Sequence, residues 1–268
     1  MAISLTRRTA IAGAAVAALA TTAVTVAMPA EAGSHHAPKP TIVLVHGAFA
    51  DSSSWNGVIE RLRRDGYPVR AVANPLRGVA NDATYVKNTL ATISGPVVLV
   101  GHSYGGAVIT NAAAGEPDVK SLVYIAAFAP ATGESLAGLG ERPVDHPIDP
   151  LPLLTVPTPE TQGADLYVDP AQFRAAFAAD VDRNEAADMA VAQRPIAAAA
   201  FGEPSAAEAW KSIPSWTLIT KQDKAINPEL QRFMATRAKA HTTEVNASHA
   251  VMVSHPDAVT RVIEQAAR

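Results

Sequence analysis

From Thr41 onward, short apolar runs rich in valine and isoleucine alternate with segments whose apolar residues fall at helical spacing. Runs over 41–46, 68–73, 96–100, 121–127, 215–220 and 242–245 read as strands, because continuous β-branched stretches fit strands covered on both faces. Patterns over 55–65, 81–93, 103–114, 228–240 and 256–267 read as helices. Ser52, Ser53 or Ser54 is available to cap the first of these, Gly66 stops it, and Pro256 opens the last. Such alternation predicts an α/β fold with a mostly parallel six-stranded sheet and helices on both faces. Residues 131–210 interrupt it. They are rich in proline, alanine and acidic residues, show no strong strand, and look helical over 173–187 and 185–193. A segment of that length exceeds a plain connection and reads as an inserted cap within a domain spanning 41–268. In open α/β sheets ligands bind at the carboxyl ends of strands where strand order reverses, so residues that follow strands gather on one edge.

The sharpest motif on that edge is Gly101-His102-Ser103-Tyr104-Gly105-Gly106, directly between a strand and a helix. It fits G-x-S-x-G, in which a tight strand-to-helix turn lifts a serine hydroxyl clear of the sheet at a helix N-terminus. A serine hydroxyl is a weak nucleophile and needs a base. The chain order serine, acid, histidine points to Asp223, after the fifth strand, and His249, after the sixth. The acid fixes the imidazole tautomer and stabilises the imidazolium. His255 competes for the base, but it borders the closing helix and reads as part of its cap. Glu134, after the fourth strand, is the alternative acid. An oxyanion needs two backbone N–H donors. Tyr104, next to the nucleophile, supplies one, and Ala48, in the loop after the first strand, supplies the other. Glycine at 47 frees the backbone to turn that amide inward. His46 and His102 sit at strand ends and read as partners of neighbouring backbone.

The stretches HGAFADSSSW, GHSYGG, QDKAINPELQRFMA and SHAVMVS resemble the bacterial branch of the α/β-hydrolase superfamily, and within it the compact esterase and hydroxynitrile-lyase-like enzymes. The likeness spans about 41–268 and is weakest in the cap. It implies a six-stranded parallel core and no cofactor or metal, with nucleophile, acid and base on Ser103, Asp223 and His249 and oxyanion donors on Ala48 and Tyr104. The lyases this chain resembles carry a lysine directly after the catalytic histidine and a hydroxyl residue after the first-strand histidine. Here those positions hold Ala250 and Gly47, which favours hydrolysis of a carboxylic ester or lactone. A cofactor-free lyase or perhydrolase on the same residues, or a ligand-binding protein of this fold, are the alternatives. Apolar cap residues Leu151, Leu153, Leu154, Tyr167, Phe173 and Phe177 are available to line an acyl or aryl pocket.

Composition narrows the partners. A net charge of −3 with no basic stripe argues against nucleic acid, and a small-molecule substrate is expected. The absence of cysteine excludes disulfides, thiolate catalysis and cysteine-ligated metals. Residues 1–32 read as an export signal: Arg7 and Arg8, an alanine-rich run over 11–26, then Ala30-Glu31-Ala32 before a cleavage point. Thr-Arg-Arg-Thr-Ala-Ile resembles a twin-arginine signal, with an ordinary secretory signal as the alternative. The protein is therefore expected to be secreted, without stable membrane association once the signal is removed. Residues 33–40 read as a flexible linker, including His35 and His36.

Overall fold

The structure is a computed structural model and describes residues 39–159 and 163–268. The expected export segment, His35, His36 and most of the linker lie outside the described residues.

Nine strands occur among the described residues: β1 (Thr41–Val45), β2 (Val69–Val72), β3 (Val97–His102), β4 (Val119–Ile125), β5 (Leu153–Thr158), β6 (Gly163–Val168), β7 (Ile196–Ala197), β8 (Ser215–Thr220) and β9 (His241–Val245). Six of them form one sheet in the order β2-β1-β3-β4-β8-β9, and every pairing in it is parallel. Successive side chains of a strand point to opposite faces, so the central strands β1 and β3, covered on both, are apolar along nearly their whole length, whereas β2 and β9 at the edges carry Arg70 and Glu244. Ile42 and Leu44 of β1 join Val98, Val100, Val123 and Ile125 on one face. Helices α1 (Asn56–Arg64) and α9 (Pro256–Ala266) cover that face. Val43 and Val45 join Leu99, Leu122 and Tyr124 on the other, under α2 (Val79–Leu90), α3 (Tyr104–Ala112) and the segment between β4 and β8. Each such fully buried aliphatic side chain is worth about 1.5–3 kcal/mol.

The segment between β4 and β8 corrects the sequence reading. It shows no strong strand in sequence, yet β5, β6 and β7 form an antiparallel sheet of their own. β5 pairs with β6 along one edge, contains Pro157, and leaves Leu153, Leu154 and Val156 exposed. A strand open to solvent on both faces has no inward–outward alternation to betray it, and proline in a run belongs on an edge. Helices α4 (Leu136–Gly140), α5 (Phe173–Phe177) and α6 (Arg183–Ala192) complete the segment. The helix expected over 173–187 is broken because Asp182 starts a new one, accepting from the N–H groups of Asn184 and Glu185.

Two smaller expectations also shift. The N-terminal turn before α1 is capped by Asp51, which accepts from the Ser53 N–H at 2.7 Å, and not by a serine. His255 occupies the position before α9 but makes no side-chain cap bond there.

Candidate active site

β1 sends its successor β2 to one side and has β3 on the other, so strand order reverses between β1 and β3. The loops that leave these two strands carry Ala48 and Ser103. Ser103 has φ 53° and ψ −123°, a backbone conformation that a non-glycine residue rarely adopts and that costs about 1–3 kcal/mol. Its surroundings require the flanking glycines. A Cβ on Gly101 would stand 2.5 Å from the Gly105 carbonyl oxygen, and one on Gly105 would stand 2.5 Å from the Val45 oxygen. A Cβ on Gly106 would reach 2.2 Å from the Phe128 oxygen. Backbone cannot yield at those distances, so the turn closes only with glycine.

Gly47 is needed for the same reason. A Cβ there would lie 2.6 Å from Ser103 Cβ and 2.9 Å from the His102 oxygen. The sequence reading gave this glycine conformational freedom as its purpose; close approach to the serine is what demands it. That approach sets Gly47, the residue before Ala48, against Ser103. Neither the Ala48 nor the Tyr104 amide donates to another protein group among the described residues. Tyr104 opens α3 at its positive end. Its side chain turns away, and its hydroxyl donates to Asp82 Oδ2 at 2.8 Å.

Asp223 and His249 follow β8 and β9. His249 Nδ1 donates to Asp223 Oδ2 at 2.8 Å, and both side chains are fully buried. Four further donors hold the carboxylate: Thr220 Oγ1 and Gln231 Nε2 on Oδ2, and the Ala225 and Ile226 N–H groups on Oδ1. His249 Nε2 is buried and bonds to no protein atom, so Ser103 and His249 are not hydrogen-bonded to each other in this structure. Catalytic hydrogen bonds often tighten only when substrate arrives. Ser103 is itself 8% exposed.

The rival residues are engaged elsewhere. Glu134 forms a two-pronged pair with Arg237 and accepts from the Ala131 N–H. The Arg237 guanidinium holds its carboxyl below the usual range. His255 Nδ1 lies 2.9 Å from Ser254 Oγ and 3.4 Å from Asp180 Oδ2. His46 donates from Nδ1 to the Gly47 carbonyl and accepts at Nε2 from the Asn74 N–H, so both ring nitrogens are occupied. His102 Nε2 donates to the His249 carbonyl at 3.0 Å, and the two rings lie 4.7 Å apart. Burial lowers the pKa of both His46 and His102, that of His102 well below the ordinary value, which keeps them neutral.

Among the apolar cap residues, Phe177 reaches the site: its ring stands edge-on to His249 at 4.8 Å, with Phe173 behind it at 5.0 Å. Leu153 and Leu154 lie exposed on β5. A cavity of about 330 Å³ lies between residues 49–57 and α6; it shares Phe49 with this region, but neither Ser103 nor His249 lines it. Thr220 and Gln231 escaped the sequence reading. Gln231 follows Asp223 by eight positions on helix α7 (Pro228–Arg237), where nothing local separates it from a solvated residue.

A family model described as the alpha/beta hydrolase family matches residues 42–262. The chain belongs to that family. It is 30% identical over 257 residues to the alpha/beta hydrolase nvfD of Aspergillus novofumigatus (strain IBT 16806), covering 85% of this chain and 97% of that protein. A carbendazim hydrolyzing esterase of Nocardioides sp. (strain SG-4G) is 37% identical over 112 residues, 36% of this chain and 46% of that one. Among solved structures, polyneuridine aldehyde esterase superposes with a TM-score of 0.72 at 20% identity, covering 85% of this chain and 98% of that one. A pyrethroid hydrolase from Sphingobium faniae JZ-2 superposes with a TM-score of 0.69 at 23% identity, covering 85% and 97%. The chain is thus an alpha/beta hydrolase with esterase-type neighbours in structure.

Proposed function

We propose that this hydrolase cleaves a carboxylic ester or lactone through an acyl-enzyme on Ser103. The observation that carries the reading is the strained serine on its glycine-bounded turn, at the sheet edge that also bears the buried Asp223–His249 pair. Ser103 Oγ attacks the carbonyl carbon while His249 Nε2 takes its proton. Asp223 keeps the other imidazole proton on Nδ1 and stabilises the imidazolium. The Ala48 and Tyr104 N–H groups stabilise the oxyanion. His249 then gives its proton to the leaving alcohol. In the second half it takes a proton from water, whose oxygen attacks the acyl carbon, and Ser103 leaves with that proton restored. The free state of His249 Nε2 and of both amides supports this assignment.

The lyase alternative is disfavoured by the same geometry. No side chain fits at position 47 against Ser103, and Ala250 places only a buried methyl group after His249. The deciding experiment is labelling with a fluorophosphonate probe together with a screen of aryl esters of different acyl length. Labelling and turnover should both vanish in Ser103→Ala, and a loss smaller than about a hundredfold would remove Ser103 as nucleophile. We also propose export from the cytoplasm. Mass spectrometry of the protein from culture medium should find an N-terminus near Gly33, and a cytosolic protein that starts at Met1 or Ala2 would refute it.

A further inference from the structure

His249 sits on a loop, not on a strand. β9 ends at Val245, and the next regular element, α8 (Val251–Ser254), starts two residues after the histidine. Two bonds tie His249 to the sheet side of the molecule: its Nδ1 to Asp223, and its carbonyl to the His102 ring. The residues on either side of it are held by the segment inserted between β4 and β8. The Ser248 N–H donates to Asp180 Oδ2 at 3.1 Å, and the Ser248 hydroxyl donates to Asp180 Oδ1. The Ala250 N–H donates to the Phe177 carbonyl at 3.1 Å. The Phe177 ring meanwhile stands edge-on to the His249 ring. Ser248, His249 and Ala250 are all buried, while the Asp180 carboxylate that holds Ser248 stays partly open to solvent.

We propose that the stretch 177–180 of the inserted segment positions the general base, with Asp180 as the positioning residue. This inference rests on the reading of His249 as base. Its physical content is simple. His249 Nε2 has no protein partner of its own, so its aim toward Ser103 is set by what grips the ring and the backbone. Asp223 fixes one ring atom and His102 the backbone carbonyl, which leaves the loop free to turn about the line between them. Two anchors, the Ser248 N–H and hydroxyl on Asp180 and the Ala250 N–H on the Phe177 carbonyl, remove that freedom. A misplacement of about 1 Å between reacting groups costs on the order of a hundredfold in rate. The sheet supplies the nucleophile and the acid, and the inserted segment completes the alignment of the base. Asp180 also faces His255, at 3.4 Å, while His102 and Asp223 are the titratable neighbours of His249.

The test compares Asp180→Ala, Asp180→Asn and Ser248→Ala in the full chain, with Ser103→Ala alongside. Asparagine retains an acceptor for the Ser248 N–H and a donor for its hydroxyl, and alanine retains neither. Three readouts are followed: the fluorophosphonate labelling rate, kcat and KM for a p-nitrophenyl ester, and the low-field proton resonance of the His249–Asp223 hydrogen bond. Asp180→Ala should lose about ten- to a hundredfold in labelling rate and kcat, with KM within about threefold, and its low-field resonance should broaden or vanish. Asp180→Asn should recover most of both. A folded Asp180→Ala with wild-type labelling rate and resonance overturns the inference, as does an asparagine variant no better than the alanine one. Should Asp180→Ala not fold, Ser248→Ala decides. A severalfold loss of labelling with an unchanged melting temperature supports the inference, and a wild-type rate overturns it. Labelling that persists in Ser103→Ala sinks the proposed acyl-enzyme on Ser103, whereas loss there beside wild-type behaviour at Asp180 sinks only the positioning role.

Discussion

Replacing Asp223 by asparagine changes one oxygen to an amide nitrogen and tests the whole arrangement around His249. The carboxylate receives five hydrogen bonds in a site closed to solvent. An asparagine must set its NH2 group on one of two sides. On the Oδ1 side it meets the Ala225 and Ile226 N–H groups, which can only donate. Two backbone donors then go unmet, at about 1–3 kcal/mol each. On the Oδ2 side it meets Thr220 Oγ1 and His249 Nδ1, both able to accept, and Gln231 Nε2, which keeps its bond to the Ile226 carbonyl and forfeits only the one to position 223. The second arrangement costs less, so it should prevail. It drives the His249 proton from Nδ1 to Nε2, where it blocks acceptance of the Ser103 proton. A wrong tautomer of this kind costs about 10⁴-fold in kcat, or about 5 kcal/mol. The assay is kcat on an aryl ester together with the fluorophosphonate labelling rate, checked against the melting temperature. A folded Asp223→Asn protein that loses less than about tenfold would refute the argument and remove Asp223 as the acid.

Glu134→Gln gives the contrasting result. Turnover should stay within about twofold of wild type, since Glu134 is bound to Arg237 away from His249. Its folded pKa is depressed by Arg237, so its contribution to stability is full above the unfolded carboxylate pKa and is lost as pH falls through the lowered value. Melting curves of mutant and wild type should therefore converge at acid pH. His46 and His102 are also held neutral, with folded pKa values below the unfolded value of about 6.5. Stability should drop as pH falls below that point, by up to about 1.4 kcal/mol per pH unit for each histidine. Thermal melts of wild type and His102→Gln between about pH 5 and 6.5 measure it, and equal slopes would count against the buried-neutral assignment. Mandelonitrile should not be cleaved appreciably beside an aryl ester, because no cation adjoins His249 at position 250 to receive cyanide. Comparable kcat/KM values for the two would favour the lyase reading.

The parts of this structure that were readable from sequence share a short-range cause. The central sheet strands could be placed because burial on both faces demands continuous apolar runs, the edge strands β2 and β9 followed from the alternation with helices, and the boundaries moved only by a residue or two at most ends. The serine motif could be placed because Gly101, Gly105 and Gly106 answer backbone contacts within one turn and the strands beside it. Asp223 and His249 followed from chain order and from the strands that precede them. The hairpin of β5 and β6 was missed because an exposed edge strand obeys neither burial pattern.

What sequence could not reveal are constraints between distant positions. Asp180 and Ser248 are separated by 68 residues, and His102 reaches the His249 carbonyl across 147. Each looks like an ordinary polar residue near a helix or strand end, and each depends on how the inserted segment and the elbow meet the same loop. Gly47 makes the point most sharply. From sequence its use was conformational, because glycine is the residue that can adopt unusual backbone angles. In the structure its neighbour across the strand pair, Ser103, leaves no room for a side chain. The same residue type was right for a reason that exists only once β1 and β3 lie side by side. A rule based on local propensity would accept alanine at 47 in any ordinary turn. The contact with Ser103 Cβ forbids it, since neither the strained serine nor the His102 carbonyl can retreat without opening the turn between β3 and α3.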